Sequence, residues 1–200
     1  MQLPACASVY FTNKVAALIP PSLLPAIAPL LEQLDSLSNA IVEYDEQITH
    51  IARTERPKTA RLEQVAGVGT LTALAFVLTV SDPHRFEKSR QLGSYFGLRP
   101  KQDQSGERSP QLGISKAGDP YLRQLLVGSA HYILGRFGPD TDLRRWGLKL
   151  AERGGKSAKK RAIVAVARKL AILLHRLWVT GQVYEPLRNT RKLHAATITA

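Results

Sequence analysis

Between Ile27 and Ile51 the apolar residues Ile27, Leu30, Leu34, Leu37, Ile41, Tyr44, Ile48 and Ile51 recur in alternating steps of three and four. A period of about 3.5 fits one stripe of a long α-helix and excludes a pleated strand, whose side chains alternate every second residue. Glu32, Asp35, Glu43, Asp45 and Glu46 lie between the stripe residues, so the stripe needs a helical partner while the other faces stay in water. Two partners satisfy it: a helix of the same chain folded back as a hairpin, or the same stripe of a second copy in a coiled-coil arm. The pattern leaves both open.

A short linker holding Arg56, Pro57 and Lys58 follows. The sequence then predicts a helix ending near Val65, a turn Ala66-Gly67-Val68-Gly69, and a second helix from Thr70 through about Val80. Two glycines separated by one apolar residue allow a sharp corner. This is the pattern of a helix-hairpin-helix, in which the backbone N–H groups of Gly67, Val68, Gly69 and Thr70 can hold a phosphate without side-chain charge and without reading sequence. An ordinary C-cap and tight corner would be spelled with the same letters.

Ser81-Asp82-Pro83 is a cap-and-start signal, and Phe86, Leu92, Tyr95 and Phe96 follow at helical spacing. These aromatics are expected in the core, with stacking of Tyr95 on an unpaired base as the alternative. Glycines and prolines across residues 98–118 break the rhythm and predict a long loop or short hairpin with a task. Asp119-Pro120 opens the next helix, whose buried face should hold Tyr121, Leu122, Leu125, Leu126, Ala130 and Ile133, with Arg123 outside it. A last long helix should follow GGKSAKKR, with Ile163, Val166, Leu170, Leu174 and Leu177 as its apolar stripe and Arg168, Lys169 and Arg176 among its charges. The fold expected is all-α: a coiled-coil-like helix at 23–58 after a linker or remnant at 1–22, a helical domain with the hairpin and one long functional loop at 59–185, and a flexible tail at 186–200.

Charge narrows the function. The first hundred residues carry nine basic and nine acidic side chains, the second hundred nineteen and seven, so the whole net charge of +12 lies in the second half. A polyanion should meet that half. Cys6 is the single cysteine, which excludes an internal disulfide and a cysteine zinc site. The start MQLPACASVYF has no basic n-region followed by an apolar run, and Arg168, Lys169, His175 and Arg176 interrupt the most apolar stretch. A soluble, cytoplasmic, nucleoid-associated protein with no membrane partner is expected.

LEQVAGVGTLTALAFVLTVSDPHRF and SRQLGSYFGLRPKQDQSGERSPQLGISKAGDPYLRQLLVGSAHYIL together resemble the transposase domain of the Piv/MooV-type insertion-sequence transposases, the group described as bridge-RNA-guided recombinases. The resemblance covers roughly residues 23–185. It implies DNA transposition by a serine nucleophile working with a magnesium-binding carboxylate tetrad in an N-terminal RuvC-like domain, which is not found before Pro20. By position the family's Ser-Gly loop falls on Gln104-Ser105-Gly106, implying Ser105 as nucleophile, flanked by Arg108, Lys116 and Arg123. Ser109 and Ser115 are rivals, Ser115 as a phosphate contact; Tyr121 ranks last because helical spacing sets it beside the core.

The DNA-contacting set expected is therefore Gly67, Val68, Gly69, Thr70, Arg108, Ser115, Lys116, Arg123, Lys159, Lys160 and Arg161, with no metal ligand in this chain. The spacing of Asp103, Glu107 and Asp119 marks no metal site, and Asp119 reads as a helix cap. Partners expected are DNA, a guide RNA, and a second copy through residues 23–52. The chain alone is expected to bind nucleic acid without completing recombination. Two other classes compete: a non-catalytic helix-hairpin-helix module for DNA or RNA, and a coiled-coil assembly protein.

Overall fold

The computed structural model describes residues 4–102, 112–155 and 157–190. It divides into two compact units, one reaching to Ile51 and the other beginning at Ala52.

The first unit holds α1 (Ser8–Ala16) and α2 (Leu24–Thr54), the latter running a few residues past the division. Pro20 accepts from the amides of Leu23 and Leu24 and so starts α2. Pro29 lies inside α2 and removes one rung of its hydrogen-bond ladder. The Thr12 hydroxyl of α1 donates to the Asp35 carboxylate of α2, and Thr12, Val15 and Ile19 are buried. The heptad stripe is not covered. Six of its residues are exposed, from 36% at Ile51 to 64% at Leu30 and Tyr44, while Ile27 and Ile48 are half-buried, so a hairpin closing over the whole seam is not what forms.

In the second unit α8 (Ala158–Thr180) is the central rod, against which α3 (Thr59–Leu62), α5 (Gln91–Tyr95), α6 (Pro120–Leu134) and α7 (Asp142–Ala151) all pack, while α4 (Thr70–Val80) packs on α3 and α6. Its stripe behaves as the spacing predicts: Val166, Leu170, Leu174 and Leu177 are buried, with Ile163 packed at the edge. Phe76, Phe96, Leu122 and Leu126 complete the centre. Among the described residues no strand forms, only one antiparallel bridge between Pro100 and Ile114. The architecture is all-α.

Four local expectations change. Residues 81–97 form no continuous helix: Ser81 turns to φ 62, Pro83–Arg85 make one 3-10 turn capped by the Asp82 side chain, and helix resumes at Gln91. The cause is α8, where buried His175 meets the Pro83 carbonyl through Nε2 and the Ser89 hydroxyl through Nδ1. Phe86 then lies edge-on to both His175 and Tyr95, which places Tyr95 on the core side of the choice. Tyr121 is 53% exposed, not beside the core. It sits one residue, about 100°, off the buried row Leu122, Leu126, Ser129, Ala130 and Ile133.

α7 was not foreseen. Thr141 caps it, accepting from Arg144 N–H, and a Cβ at Gly147 would lie only 2.5 Å from Val166 Cγ2, so this helix lies tight on α8. Finally, the described start of the segment expected as a flexible tail, residues 186–190, is tied down. The Pro186 carbonyl accepts from Asp142 N–H, and the Asp142 carboxylate takes the Asn189 amide at 2.6 Å and the Thr190 hydroxyl at 2.7 Å. Residues 191–200 lie outside the described residues.

Candidate nucleic-acid interface

Ser105 and Arg108, with Asp103, Glu107 and Ser109, fall outside the described residues, but both margins of that segment are placed. Lys101 N–H donates to Gly113, Ser115 N–H to Arg99, and Lys116 N–H to Gly97. These bonds zip residues 97–101 against 113–116 into a short ribbon. Gly97 is required there. Its φ is +65, and a Cβ would strike the Ala117 backbone at 2.3 Å. Lys116 takes φ 57, an uncommon conformation for a residue with a side chain. Ser115 is half-buried and Lys116 exposed.

The ribbon is anchored to the start of α6. Asp119 accepts from the amides of Tyr121 and Leu122 at 2.7 and 3.1 Å. Arg123, expected to reach DNA, turns inward: its Nη1 donates to the carbonyls of Phe96 and Ala117 at 3.2 and 2.8 Å. It braces the ribbon.

The Gly67–Gly69 turn joins α3 to α4 as the sequence predicts. Gly67 has φ +85, and a Cβ would come within 3.0–3.2 Å of Tyr132, Ser129 and Ile133 of α6. Gly69 is the N-cap of α4 and offers no side chain; its carbonyl already accepts from Ala73 N–H. The amides of Thr70, Leu71 and Thr72 precede the helical ladder and point outward, at the positive end of the helix. Beside this helix start lies a groove of about 650 Å³ lined by Gly67, Val68, Gly69, Thr72 and, from α6, Gln124, Leu125, Gly128, Ser129 and Tyr132.

Lys159, Lys160 and Arg161 are exposed in the first turn of α8, which contains no acidic residue. Cations at a helix N-terminus are unfavourable within the chain itself, by about 0.3–1 kcal/mol each. A polyanion there would reverse the sign.

Residues 59–144 match the profile of the family described as Transposase IS116/IS110/IS902 family. Over 156 residues, 78% of this chain and 42% of the relative, the sequence is 37% identical to the transposase for insertion sequence element IS1111A of Coxiella burnetii. The chain carries a transposase domain of the IS116/IS110/IS902 family. The transposase for insertion sequence element IS1328 of Yersinia enterocolitica is 34% identical over 59% of this chain and 35% of its own. The pilin gene-inverting protein of Moraxella bovis is 29% identical over 66% of this chain and 41% of its own. The chain thus spans less than half the length of each of these relatives.

Within this transposase domain the described residues do not suit a magnesium ion. No three His, Cys, Asp or Glu side chains converge among them, and three of the carboxylates of the basic half are engaged locally: Asp119 caps α6, Asp140 pairs with Arg145, and Asp142 holds residues 189 and 190. Nor is any described helix long and apolar enough to cross a membrane. The α6 wall of the groove escaped the sequence reading. Its signal was the spacing of Gln124, Gly128 and Tyr132 by four, a polar face broken by a glycine, which resembles any solvated helix face until α4 is set opposite.

Proposed function

We propose that this chain is the DNA-binding and strand-joining part of a transposase, gripping phosphates at the Gly67–Gly69 turn and presenting Ser105 as nucleophile. The observation that carries it is the role of α6 within a domain of this family. Its first turns hold the ribbon that leads into and out of residues 103–111, and its later turns pack on Gly67. Arg123 and Ser129 are about 9 Å apart along the axis, so one stiff helix fixes the distance between the two parts.

In the reaction the Ser105 Oγ attacks a phosphodiester phosphorus. The Oγ–P bond forms, a P–O bond to one sugar breaks, and the serine proton passes through a base to the departing sugar hydroxyl. A second strand's hydroxyl then reverses the exchange, so the bond energy is retained. A dianionic transition state needs cations; Lys116 and Arg108 supply them, and in the family's scheme magnesium held by the carboxylate tetrad of a RuvC-like domain would add to them. Lys159, Lys160 and Arg161 meet the sequence-independent backbone of the DNA or of a guide RNA. The α2 seam pairs with the same seam of a second copy, because a stripe of period 3.5 is matched along its length only by another of that period.

The chain, incubated with duplex insertion-sequence ends, magnesium and a RuvC-like carboxylate domain supplied in trans, should retain denaturant-resistant DNA that Ser105→Ala abolishes. Binding without any adduct, identical in wild type and Ser105→Ala, would leave a non-catalytic helix-hairpin-helix module instead.

A further inference from the structure

The groove between the α4 N-terminus and α6 contains two hydroxyls with nothing to bond. Thr72 and Ser129 are 8% and 5% exposed and line it from opposite helices. The other buried hydroxyls and the buried imidazole among the described residues of the second unit have partners: Thr59 bonds to Ala52 and Arg56, Thr141 to Arg144, and His175 to Ser89 and Pro83; the Trp178 indole N–H has none. The Thr72 and Ser129 side chains are nearly buried while their oxygens face the groove, where protein supplies no partner and water or a ligand can. Their neighbours are the outward amides of α4, donors with the same preference for an oxyanion.

The groove is also kept open at a cost. Gly128 sits mid-helix in α6, exposed, and a Cβ there would meet nothing within 4 Å. Packing does not require this glycine, and helix propensity argues against it. Gly69 opposite is likewise bare of neighbours. Bare backbone on both walls suits a ligand that approaches closer than a side chain would allow.

We infer that this groove is a seat for one phosphodiester of a nucleic-acid backbone, held by the α4 amides and the Thr72 and Ser129 hydroxyls, with Gly128 omitted from the wall to admit the sugar-phosphate. The inference rests on the proposed nucleic-acid binding and adds α6 as its second wall. Gln124 and Tyr132 flank the entry, at the positions where the adjoining sugar or base would lie.

The test is fluorescence anisotropy of the full chain with labelled duplex DNA, single-stranded DNA and hairpin RNA at about 50 mM salt, alongside thermal melts. Gly128→Met fills the groove and Gly128→Ala narrows it; both should keep or raise the Tm while weakening binding, by about tenfold or more for Met. Thr72→Val with Ser129→Ala should weaken it severalfold without lowering the Tm. The polymer most affected identifies the source of the phosphate. Unchanged affinity in the Gly128 variants, with loss in Lys159→Ala/Lys160→Ala, would overturn the seat but keep the binding function; no binding by wild type to any of the three would overturn both. A lower Tm for Gly128→Ala would make the glycine structural and also count against the seat.

Discussion

Arg123 Nη1 lies 2.8 Å from the carbonyl oxygen of Ala117, so a cation that sequence position offers to DNA is spent on holding the ribbon of residues 97–101 and 113–116. Arg123→Ala should cost about 1–3 kcal/mol of stability, the worth of hydrogen bonds from a charged donor. It should also suppress the covalent adduct while leaving the salt dependence of DNA binding unchanged. A fall of about one in the slope of log affinity against log salt would show instead that Arg123 meets a phosphate.

Lys159 and Lys160 are predicted to behave in the opposite way. Each alanine substitution should flatten the salt slope on duplex DNA by about 0.9 and weaken binding to unrelated sequences equally. Melting temperature should hold or rise, because a cation is removed from a helix N-terminus. Sequence-dependent losses in a titration across several duplexes would contradict a backbone-only role.

Leu37 and Ile41 lie on the uncovered α2 seam, 60% and 59% exposed. Leu37→Asp with Ile41→Asp should reduce the mass in solution to that of one chain, measured by light scattering, and leave urea unfolding of the second unit unaltered. If wild type and variant have the same mass, the seam does not join copies.

His175 is the pin between α8 and the Pro83–Ser89 segment. Replacing it with alanine opens a cavity and removes the shorter of the two hydrogen bonds to the Pro83 carbonyl, leaving that from Phe86 N–H, for a loss of about 3 kcal/mol in denaturant unfolding. His175→Leu, which keeps most of the volume, should recover only part of it. Full recovery would mean that packing rather than the two hydrogen bonds sets the wrapped course of residues 81–90.

Asp142 titrates with the docking of residues 186–190. Burial raises its carboxyl, but hydrogen bonds from the Thr190 hydroxyl and the amides of Asn189 and Thr190, with Arg145 nearby, outweigh this and hold it below the usual carboxylate range. A depressed folded value means that the docking is fully present above the unfolded value of about 3.9 and lost as pH falls through the lower folded one. Amide exchange at Asn189 should therefore accelerate on acidification before that of the α8 core. Equal acceleration at both would show that the segment and the core open together.

What could be read from the letters follows the range of the interactions. The seam, the Gly67–Gly69 corner, the Asp119 cap and the α8 stripe are local patterns, and each appears where its spacing put it. The course of residues 81–97 was not legible because its cause, His175, lies about ninety residues away. The inward turn of Arg123 depends on carbonyls delivered by the ribbon, and the docking of residues 186–190 depends on Asp142, at the start of a ten-residue helix whose Leu143, Trp146 and Leu150 recur at helical spacing but whose partner segment lies more than forty residues on. The groove has the same origin. Thr72 and Ser129 look like ordinary helix residues until two helices are packed, and only then do their hydroxyls share a space.

The Gly67 turn has an evolutionary consequence. A grip made of peptide N–H groups is written in the shape of the chain rather than in its side chains. Descendants could exchange their exposed lysines one at a time, losing a little affinity at each step and regaining it elsewhere. A single methyl at Gly67, where φ is +85 and Tyr132, Ser129 and Ile133 stand 3.0–3.2 Å away, would strain the turn on which the proposed hold depends. Selection on such a domain should press hardest on a residue that has no side chain.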